Sequence, residues 1–443
     1  MAIRKREEVF PNAAGIDIGG SSHFVAVPRH LAEAAGDEPV REVGPMTEDL
    51  NGLARWLVGL GVDAVAVEST GVYWIPVFEV LEQHGLTVWL VDARQMKYVP
   101  GRKSDVLDCQ WLQKLMSLGL LRAAWRPKAE VCVLRAVARQ RETLIIEQAS
   151  WVQRMQKALV QMNIQLTEVI TDVMGQTGQA IIRDIVAGQR DAKALAHHRH
   201  RRVKASEADI VKALTGNWRE EHLFVLEQAL AIYDDIGRHL SDCDAKLAAL
   251  LNDRAVYKVD LGPVPRASSK VRADYDTRQR LADWAGVDLT RINGLGVTTV
   301  TTLLTEIGPD LSRFANVKHF CSWLGLCPGT KVSGGKVLSS GTRRSASRAR
   351  QALKMAAQAL SRSGSALGAF YRRLCVRMDK PKANTATAHK LARMVYFMLT
   401  RGEAFVDRGQ QRYEEQQRQR SIAALKRRAA ALGFQIKPVE VLA

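Results

Sequence analysis

The order of strands and helices implied by residues 13–119 restricts the fold of this chain more than any other feature. An apolar segment at 13–19, a Gly-Gly-Ser-Ser turn and an apolar segment at 22–28 predict a β-hairpin, and a third short strand follows near 40–46. After it, helical and strand patterns alternate as helix, strand, helix, strand and helix. This order predicts a mixed sheet with helices on its faces.

The elements after the third strand can be placed individually. "TEDLNGLARWLVGLG" predicts a helix that begins near Thr47 and ends at Gly61, and "YWIPVFEVLEQHG" predicts a second. "VDAVAVEST" and "LTVWLVD" predict the fourth and fifth strands, and "SDVLDCQWLQKLMSLG" predicts a third helix capped by Ser104. This is the order of the ribonuclease H-like fold, which we predict for residues 1–127.

Four acids occupy positions where this fold would bring them together. Asp17 is the only charged residue of "GIDIGG", Glu68 ends the fourth strand, and Asp105 and Asp108 share one face of the third helix. The first and fourth strands are neighbours in this fold, so the four carboxylates can converge. Their mutual repulsion and hard oxygen donors predict bound Mg²⁺, with Mn²⁺ as the alternative ion.

Each acid also has a structural interpretation. Asp17 could belong to a turn, Glu68 could cap the following helix, and Asp105 and Asp108 could be favourable acids in the first turn of a helix. The "DIGG" segment also occurs in actin-like and sugar-kinase ATPases. Those proteins need a second hairpin of the same kind, and the sequence contains no second D-x-G-G segment.

The chain is strongly basic, with a formal net charge of +18, which predicts a polyanionic partner such as nucleic acid. Without an apolar run of about 18 residues, no membrane segment is expected, and we expect a cytoplasmic protein. Basic residues lie beside the acids, in the segment "HHRHRRVKAS" and in a glycine-rich loop. The predicted nucleic-acid contacts are Arg102, Lys103, Arg199, Arg201, Arg202, Lys331, Lys336, Arg343 and Arg344.

The remainder of the chain is predicted to be mainly helical. Heptad-like apolar spacing over 128–252 predicts two long helices, which could form an antiparallel hairpin, a dimerising coiled coil or the core of an ordinary bundle. Residues 253–285 are predicted to be a linker. We expect a C-terminal domain over 286–405, with a helix-hairpin-helix-like turn in "INGLGVTTV", and a basic helical tail over 406–443.

One serine of the C-terminal domain stands among flexible glycines and cations. Ser333 lies in "KVSGGK" between Lys331 and Lys336. A serine beside DNA could attack a phosphodiester there, because the cations would stabilise the developing charge. A serine in a glycine loop is otherwise a common turn residue.

Several segments in order, including "GIDIG", "VAVESTGVYWIPVFEVLEQHG", "KSDVLDCQWLQ", "INGLGVTTVTTLLTEIGPDLSRF" and "LGLCPG" followed by "SGGK", resemble the DEDD-type transposases of bacterial insertion sequences. The resemblance implies a RuvC-like catalytic domain whose acidic tetrad would be Asp17, Glu68, Asp105 and Asp108. It further implies a serine that bonds transiently to DNA, a noncoding bridge RNA that pairs with donor and target DNA, and a homo-oligomer, dimer or tetramer. Ser333 matches the serine best, with Ser339 and Ser340 close in sequence.

Two other functions remain open from the sequence. A nuclease resembling a Holliday-junction resolvase would use the same acids with water as the nucleophile, and it would leave no covalent link between protein and DNA. A non-catalytic nucleic-acid-binding protein would explain the charge, although it would not explain four acids at these positions. We therefore predict a DNA transposase or site-specific recombinase.

Overall fold

The computed structural model describes residues 8–69, 71–93, 104–261, 269–343, 345, 347–402 and 409–436, and for 269–275 it describes the backbone alone. The chain divides into two compact units, Met1–Arg126 and Pro127–Ala443. None of the helices within the described ranges is long and apolar enough to cross a membrane.

The first unit is built on a five-stranded mixed sheet with strand order β3-β2-β1-β4-β5. β1 pairs antiparallel with β2 and β2 antiparallel with β3, whereas β1, β4 and β5 run parallel. This topology confirms the predicted ribonuclease H-like order, including the pairing of the first and fourth strands. The strands are β1 (Ala13–Ile18), β2 (His23–Ala26), β3 (Val40–Val43), β4 (Ala64–Glu68) and β5 (Thr87–Val91).

Four helices cover the sheet, and one of them was not expected. α1 is a short helix in the connection between β2 and β3, which begins after Pro28 and buries Ala32. No element was predicted between β2 and β3, because a helix of six residues is too short to show a helical period. The helices are α1 (Arg29–Ala34), α2 (Thr47–Gly59), α3 (Trp74–Gln83) and α4 (Asp105–Ser117).

Alternation along the strands divides the core of this unit into two layers. Ala14, Ile16 and Ile18 of β1 pack in a cluster with buried residues of α2 and α3. Ala13 of β1 and Ala64 and Ala66 of β4 pack in another cluster with buried residues of α4. Side chains that are an even number of residues from Ala13 on β1, or from Ala64 on β4, therefore lie on the α4 side of the sheet.

Helix α4 approaches β1 so closely that only a glycine fits between them. A Cβ atom on Gly15 would lie 2.3 Å from the backbone nitrogen of Gln113 and 2.6 Å from the carbonyl oxygen of Cys109. Both atoms belong to the backbone of α4, so no change of side-chain rotamer could relieve the overlap. Gly15 therefore sets the distance between helix and sheet.

The second unit contains two long helices, α5 (Ala129–Gln161) and α10 (Glu220–Asn252), that form an antiparallel hairpin within one chain. Arg141 pairs with Asp244 near one end, and the Gln148 side chain donates a hydrogen bond to the Tyr233 carbonyl further along. A buried cluster joins the other end of the hairpin to four short helices. These are α6 (Leu166–Val169), α7 (Gln176–Val186), α8 (Ala192–Ala196) and α9 (Glu207–Ala213).

In the described residues, the C-terminal part of this unit consists of helices and one β-hairpin. Within the predicted linker over 253–285, Ser269–Ala285 forms helix α11, which buries Leu281 and Trp284. The Pro, Ser and charged residues that suggested a linker conceal this apolar face. The remaining elements are α12 (Val297–Ile307), α13 (Val317–Trp323), β6 (Lys331–Ser333), β7 (Lys336–Ser339), α14 (Arg348–Ala359), α15 (Ala366–Arg377), α16 (Lys380–Arg401) and α17 (Gln410–Ala431).

The turn before α12 contains the predicted glycines, and two of them have different structural roles. Gly294 has a φ of 92°, and a Cβ there would lie 2.9 Å from the Ala356 carbonyl oxygen, so this glycine allows close packing on α14. Gly296 caps α12 and faces open space. The element directly before the glycines is a three-residue 3₁₀ turn, Leu289–Arg291, so the first helix of the expected hairpin is a single turn.

A buried carboxylate joins α12 to the long hairpin. The Glu306 side chain is 10% exposed and accepts hydrogen bonds from Arg139 at 2.8 and 2.9 Å. Arg135 lies 3.4 Å from the same carboxylate and also donates to the Glu306 backbone carbonyl. The two guanidinium groups compensate the buried negative charge, which would otherwise be costly to remove from water.

We predict that Gly15→Ala destabilises the protein by about 3 kcal/mol, because the added methyl group overlaps backbone atoms of α4. The free energy of unfolding is measured by urea denaturation with tryptophan fluorescence. Gly52→Ala is the matched control: Gly52 lies inside α2 with open space around it, so alanine should be neutral or stabilise by about 0.5–1 kcal/mol. Equal effects of the two changes would contradict the close-packing argument.

We predict that Glu306→Gln costs about 3 kcal/mol, because it leaves two partly buried guanidinium groups without their counter-charge. The same urea titration measures this change. Asp234→Asn is the control, since it removes the partly exposed pair between Asp234 and Arg183 and should cost less than about 1 kcal/mol. A cost for Glu306→Gln no larger than that of the control would show that the buried pair does not hold α12 to the hairpin.

Candidate active site

Asp17 and Glu68 lie on the same side of the sheet at the ends of two neighbouring parallel strands. Asp17 is an even number of residues from Ala13 on β1, and Glu68 is an even number of residues from Ala64 on β4. Side chains alternate between the two faces of a sheet, so both acids are on the α4 side. The register pairs Ile16 with Val67, which places the two acids side by side. Both side chains are partly buried.

The first turn of α4 supplies the other two acids. Ser104 caps the helix by accepting a hydrogen bond from the Leu107 amide at 3.3 Å, and the Asp108 amide donates to the Ser104 carbonyl at 3.0 Å. This cap fixes the start of the helix, so Asp105 and Asp108 share one face of its first turn. Acids at this end also interact favourably with the helix dipole.

The electrostatics of Asp17 show that the four acids lie near one another. The pKa of Asp17 is raised from 3.8 to about 6, first by burial and then by the negative charges of Glu68, Asp105 and Asp108. The pKa of the Cys109 thiol is raised to about 12, mainly by burial and next by the charge of Asp17. The structure therefore brings together the four acids that the sequence pattern singled out.

The carboxylates are near one another without being drawn into a closed metal site. Within the described ranges, no three His, Cys, Asp or Glu side chains are arranged closely enough to hold a metal ion. The donor set nonetheless has the chemistry that Mg²⁺ and Mn²⁺ prefer, since all four groups are carboxylates. The pKa of Asp17 is raised first by burial and then by the charges of the three other acids, and a cation would relieve the repulsion among these charges.

Ser333 lies at the tip of the β6–β7 hairpin in the second unit. Ser333 pairs with Lys336 across a two-residue turn in which Gly334 and Gly335 both have positive φ, of 54° and 77°. Two successive residues with positive φ favour glycine and give the turn its tight geometry. Every residue of the two strands is exposed, including Ser333, Ser339 and the two lysines. Ser340, which follows β7, is exposed as well.

The predicted basic contacts fall into three groups. Lys331, Lys336, Arg343, Arg201 and Arg202 are exposed. Arg199 is different, because its guanidinium donates to the Ala205 and Val203 carbonyls at 2.7 and 2.9 Å and so holds its own loop together. Such hydrogen bonds cannot be inferred from a run of basic residues. Arg102, Lys103 and Arg344 lie outside the described residues.

Tyr73 is a candidate contact for nucleic acid, and the sequence pattern had placed it only at the start of a helix. Its side chain is 52% exposed, and its ring lies beside Gly20 and Gly71, in the turns that follow β1 and β4. These strands carry Asp17 and Glu68. An exposed aromatic ring at this edge is suited to stacking on a nucleobase. Gly20 precedes "SSHF" and Gly71 precedes "VYW" in the sequence, and these two glycines could have indicated the position of the ring.

We predict that Asp17→Asn stabilises the metal-free protein more at pH 7 than at pH 4. The folded protein holds the Asp17 proton more tightly than the unfolded chain, so this group's contribution to stability falls as pH rises from about 4 to about 6. Asparagine cannot ionise and avoids this loss. The prediction is tested by measuring the urea midpoints of the wild-type and Asp17→Asn proteins in EDTA from pH 4 to pH 7.

A background with Asp105→Asn and Asp108→Asn is the control for that comparison. Two of the repelling charges are absent there, so the stability difference should grow less with pH. A difference that does not change with pH in the original background would show that Asp17 is not held among like charges.

Two segments of the chain match models of known protein families. Residues 14–164 match the transposase model of the IS110 DEDD class, and residues 287–372 match the model of the transposase IS116/IS110/IS902 family. A search of curated proteins gave no match. The two matched segments together span more than half of the chain and contain all four acids and Ser333. The chain therefore belongs to the IS110-type DEDD transposases and is an enzyme of DNA transposition.

Proposed function

We propose that this transposase cuts and rejoins DNA with two groups of residues, the four acids of the first unit and Ser333 of the second. The observation that carries the proposal is the gathering of Asp17, Glu68, Asp105 and Asp108 on one face of the sheet, expressed in the raised pKa of Asp17. Four acids held near one another cost stability, and a role in binding cations explains why the fold bears that cost.

The four carboxylates would hold Mg²⁺, or Mn²⁺ in its place, as all-oxygen ligands. Such ions, when bound, stabilise charge on the attacking and leaving oxygens of a phosphodiester. Asp17 would come from the rigid end of β1 and Glu68 from β4, whereas Asp105 and Asp108 would come from the capped start of α4. Asp17 must lose its proton to bind a cation, so binding should strengthen as pH rises through about 6.

Ser333 would act as the nucleophile. Its Oγ would form a bond to phosphorus while the bond from phosphorus to one sugar oxygen breaks; the serine proton passes to solvent and the released sugar oxygen is protonated. A sugar hydroxyl of a second DNA strand would then attack phosphorus while the bond from phosphorus to Oγ breaks. The hydroxyl proton is lost to solvent and the serine oxygen is protonated again, so the number of phosphodiester bonds is conserved. Lys331 and Lys336, exposed beside Ser333, would stabilise the charge on phosphorus.

The partners proposed here are donor and target DNA, a noncoding bridge RNA and further copies of the chain. The net charge of +18 favours polyanions of either kind. The bridge RNA and the dimeric or tetrameric assembly are supported by the resemblance to the family, and action in the cytoplasm is proposed beside them. In such an assembly the acids and the serine could come from different protomers.

We predict that Ser333→Ala abolishes covalent attachment of protein to DNA, because no other group would supply the attacking oxygen. Full-length protein, magnesium, candidate donor DNA and RNA from the sequence flanking the gene are incubated together. The products are then separated on a denaturing gel. Asp105→Asn should also lower the covalent product by at least about 100-fold through loss of charge stabilisation.

Ser339→Ala and Ser340→Ala are the matched controls, since both serines are exposed on or beside the same hairpin and should leave the product intact. If a control variant loses the covalent product while Ser333→Ala retains it, the serine changed in that control is the nucleophile. Free nicked DNA that survives Ser333→Ala and disappears with Asp105→Asn would replace the proposal with a metal-dependent nuclease that uses water.

A further inference from the structure

A polar cavity of about 510 Å³ opens near the base of the hairpin that carries Ser333. The hairpin begins where Pro328 pairs with Thr342, and Thr342 and Arg343 form one wall of the cavity. The start of α14 forms the other wall, with Ser347, Arg348, Arg350 and Lys354 among its lining residues. Every lining residue is polar, four are cationic, and none is acidic.

Two of the four cations are committed to building the cavity. Arg350 donates to the Arg343 carbonyl at 2.9 Å and to the Thr342 hydroxyl at 3.2 Å, which fixes the loop against α14. Arg348 pairs with Glu142 of α5 and so ties the start of α14 to the long hairpin. The cavity is therefore held open by hydrogen bonds that do not depend on a ligand.

The other two cations are available to a ligand. Arg343 is exposed and Lys354 is partly exposed, and neither forms an ion pair with any residue in the described part of the chain. α14 begins between them, where the Ser347 hydroxyl accepts from the Arg350 amide at 3.3 Å. The positive end of the helix dipole adds to the field of the cations, so the cavity attracts an anion.

We propose that this cavity, bounded by Arg343 and Lys354, binds a phosphate group of the DNA strand that reaches Ser333. The inference rests on the proposed function, because it assigns the anion to the strand that the serine attacks. Ser333 is five residues along the hairpin from Pro328, which corresponds to about 16 Å of extended strand. The bound phosphate would therefore lie several nucleotides from the scissile one.

A phosphate held at that distance positions the strand and takes no part in bond breaking. Arg343 and Lys354 are accordingly positioning residues. Their removal should weaken DNA binding and reduce its dependence on salt, because fewer counterions are released when fewer phosphates are neutralised. The covalent step itself should be unchanged once DNA is bound.

The experiment uses the full-length protein with Arg343→Gln and Lys354→Gln combined. Binding of a fluorescent duplex DNA of random sequence is measured by anisotropy from low to moderate salt. We expect the magnitude of the slope of log K against log salt to fall by about 0.9, because one phosphate contact is lost. In the covalent assay, the DNA concentration at half-maximal product should rise at least fivefold, with the maximum unchanged.

A control with the same change of charge is Arg313→Gln with Lys318→Gln. Both residues are exposed in the same unit and neither lines the cavity. The slope should stay at the wild-type value in this variant. Thermal unfolding of all three proteins checks that the folds are equally stable.

An unchanged slope in the Arg343 and Lys354 variant would overturn the inference, as would a reduced slope for a matched RNA duplex but not for DNA. Loss of the maximal covalent yield would also overturn it, because that result would place the two residues in the chemical step. Failure of the wild-type protein to form any covalent product would contradict the serine mechanism instead. The salt dependence would still be measured in that case, so the two failures are distinguishable.

Discussion

The contact between the backbone of α4 and the backbone of β1 at Gly15 controls the rest of the acidic site. Without a side chain at this position, the helix lies directly on the strand. Asp17 is two residues further along β1, on the same side of the sheet, and the first turn of α4 lies toward that end. A larger residue at position 15 would push the helix outward and take Asp105 and Asp108 away from Asp17. The close approach of the four acids is thus a consequence of one steric requirement.

The gathered acids oppose the stability of the fold that gathers them. Burial and three like charges raise the pKa of Asp17, which means that its ionised form is disfavoured in the folded protein. The surrounding core supplies the compensation, since Ala13, Ala64, Ala66 and residues of α4 are packed tightly beneath the site. Groups in active sites are commonly placed on a rigid scaffold that tolerates their cost, and this arrangement agrees with the role that we propose for the acids.

The second unit presents Ser333 in the opposite manner. The four acids lie against a packed sheet, whereas the serine is on an exposed two-stranded hairpin whose register is set by two glycines. The base of that hairpin is fixed by Arg350, and α14 is joined to the long hairpin through Arg348 and Glu142. A rigid base with an exposed tip suits the role that we propose for Ser333, which requires its hydroxyl to reach the backbone of DNA.

Much of the architecture could be predicted from the sequence because strands and long amphipathic helices leave periodic patterns. The strand order, the pairing of β1 with β4 and the two long helices follow from such patterns. Helix α1 was missed because it is too short to show a period, and α11 because polar residues conceal its apolar face. The heptad spacing of α5 and α10 fitted several arrangements, and the antiparallel hairpin is the one that places Arg141 beside Asp244.

The sequence by itself determined which residues we propose for the chemistry: an acid at the end of each of two strands, two acids in a capped helical turn and a serine beside two glycines. Only the tertiary structure decided which neighbours such residues have. It placed Asp17 and Glu68 on the α4 side, turned Arg199 inward to its own loop, and grouped Arg343 with Lys354 around a cavity. Local spacing fixes the element on which a side chain lies, whereas its neighbours depend on packing between segments that are distant in the chain.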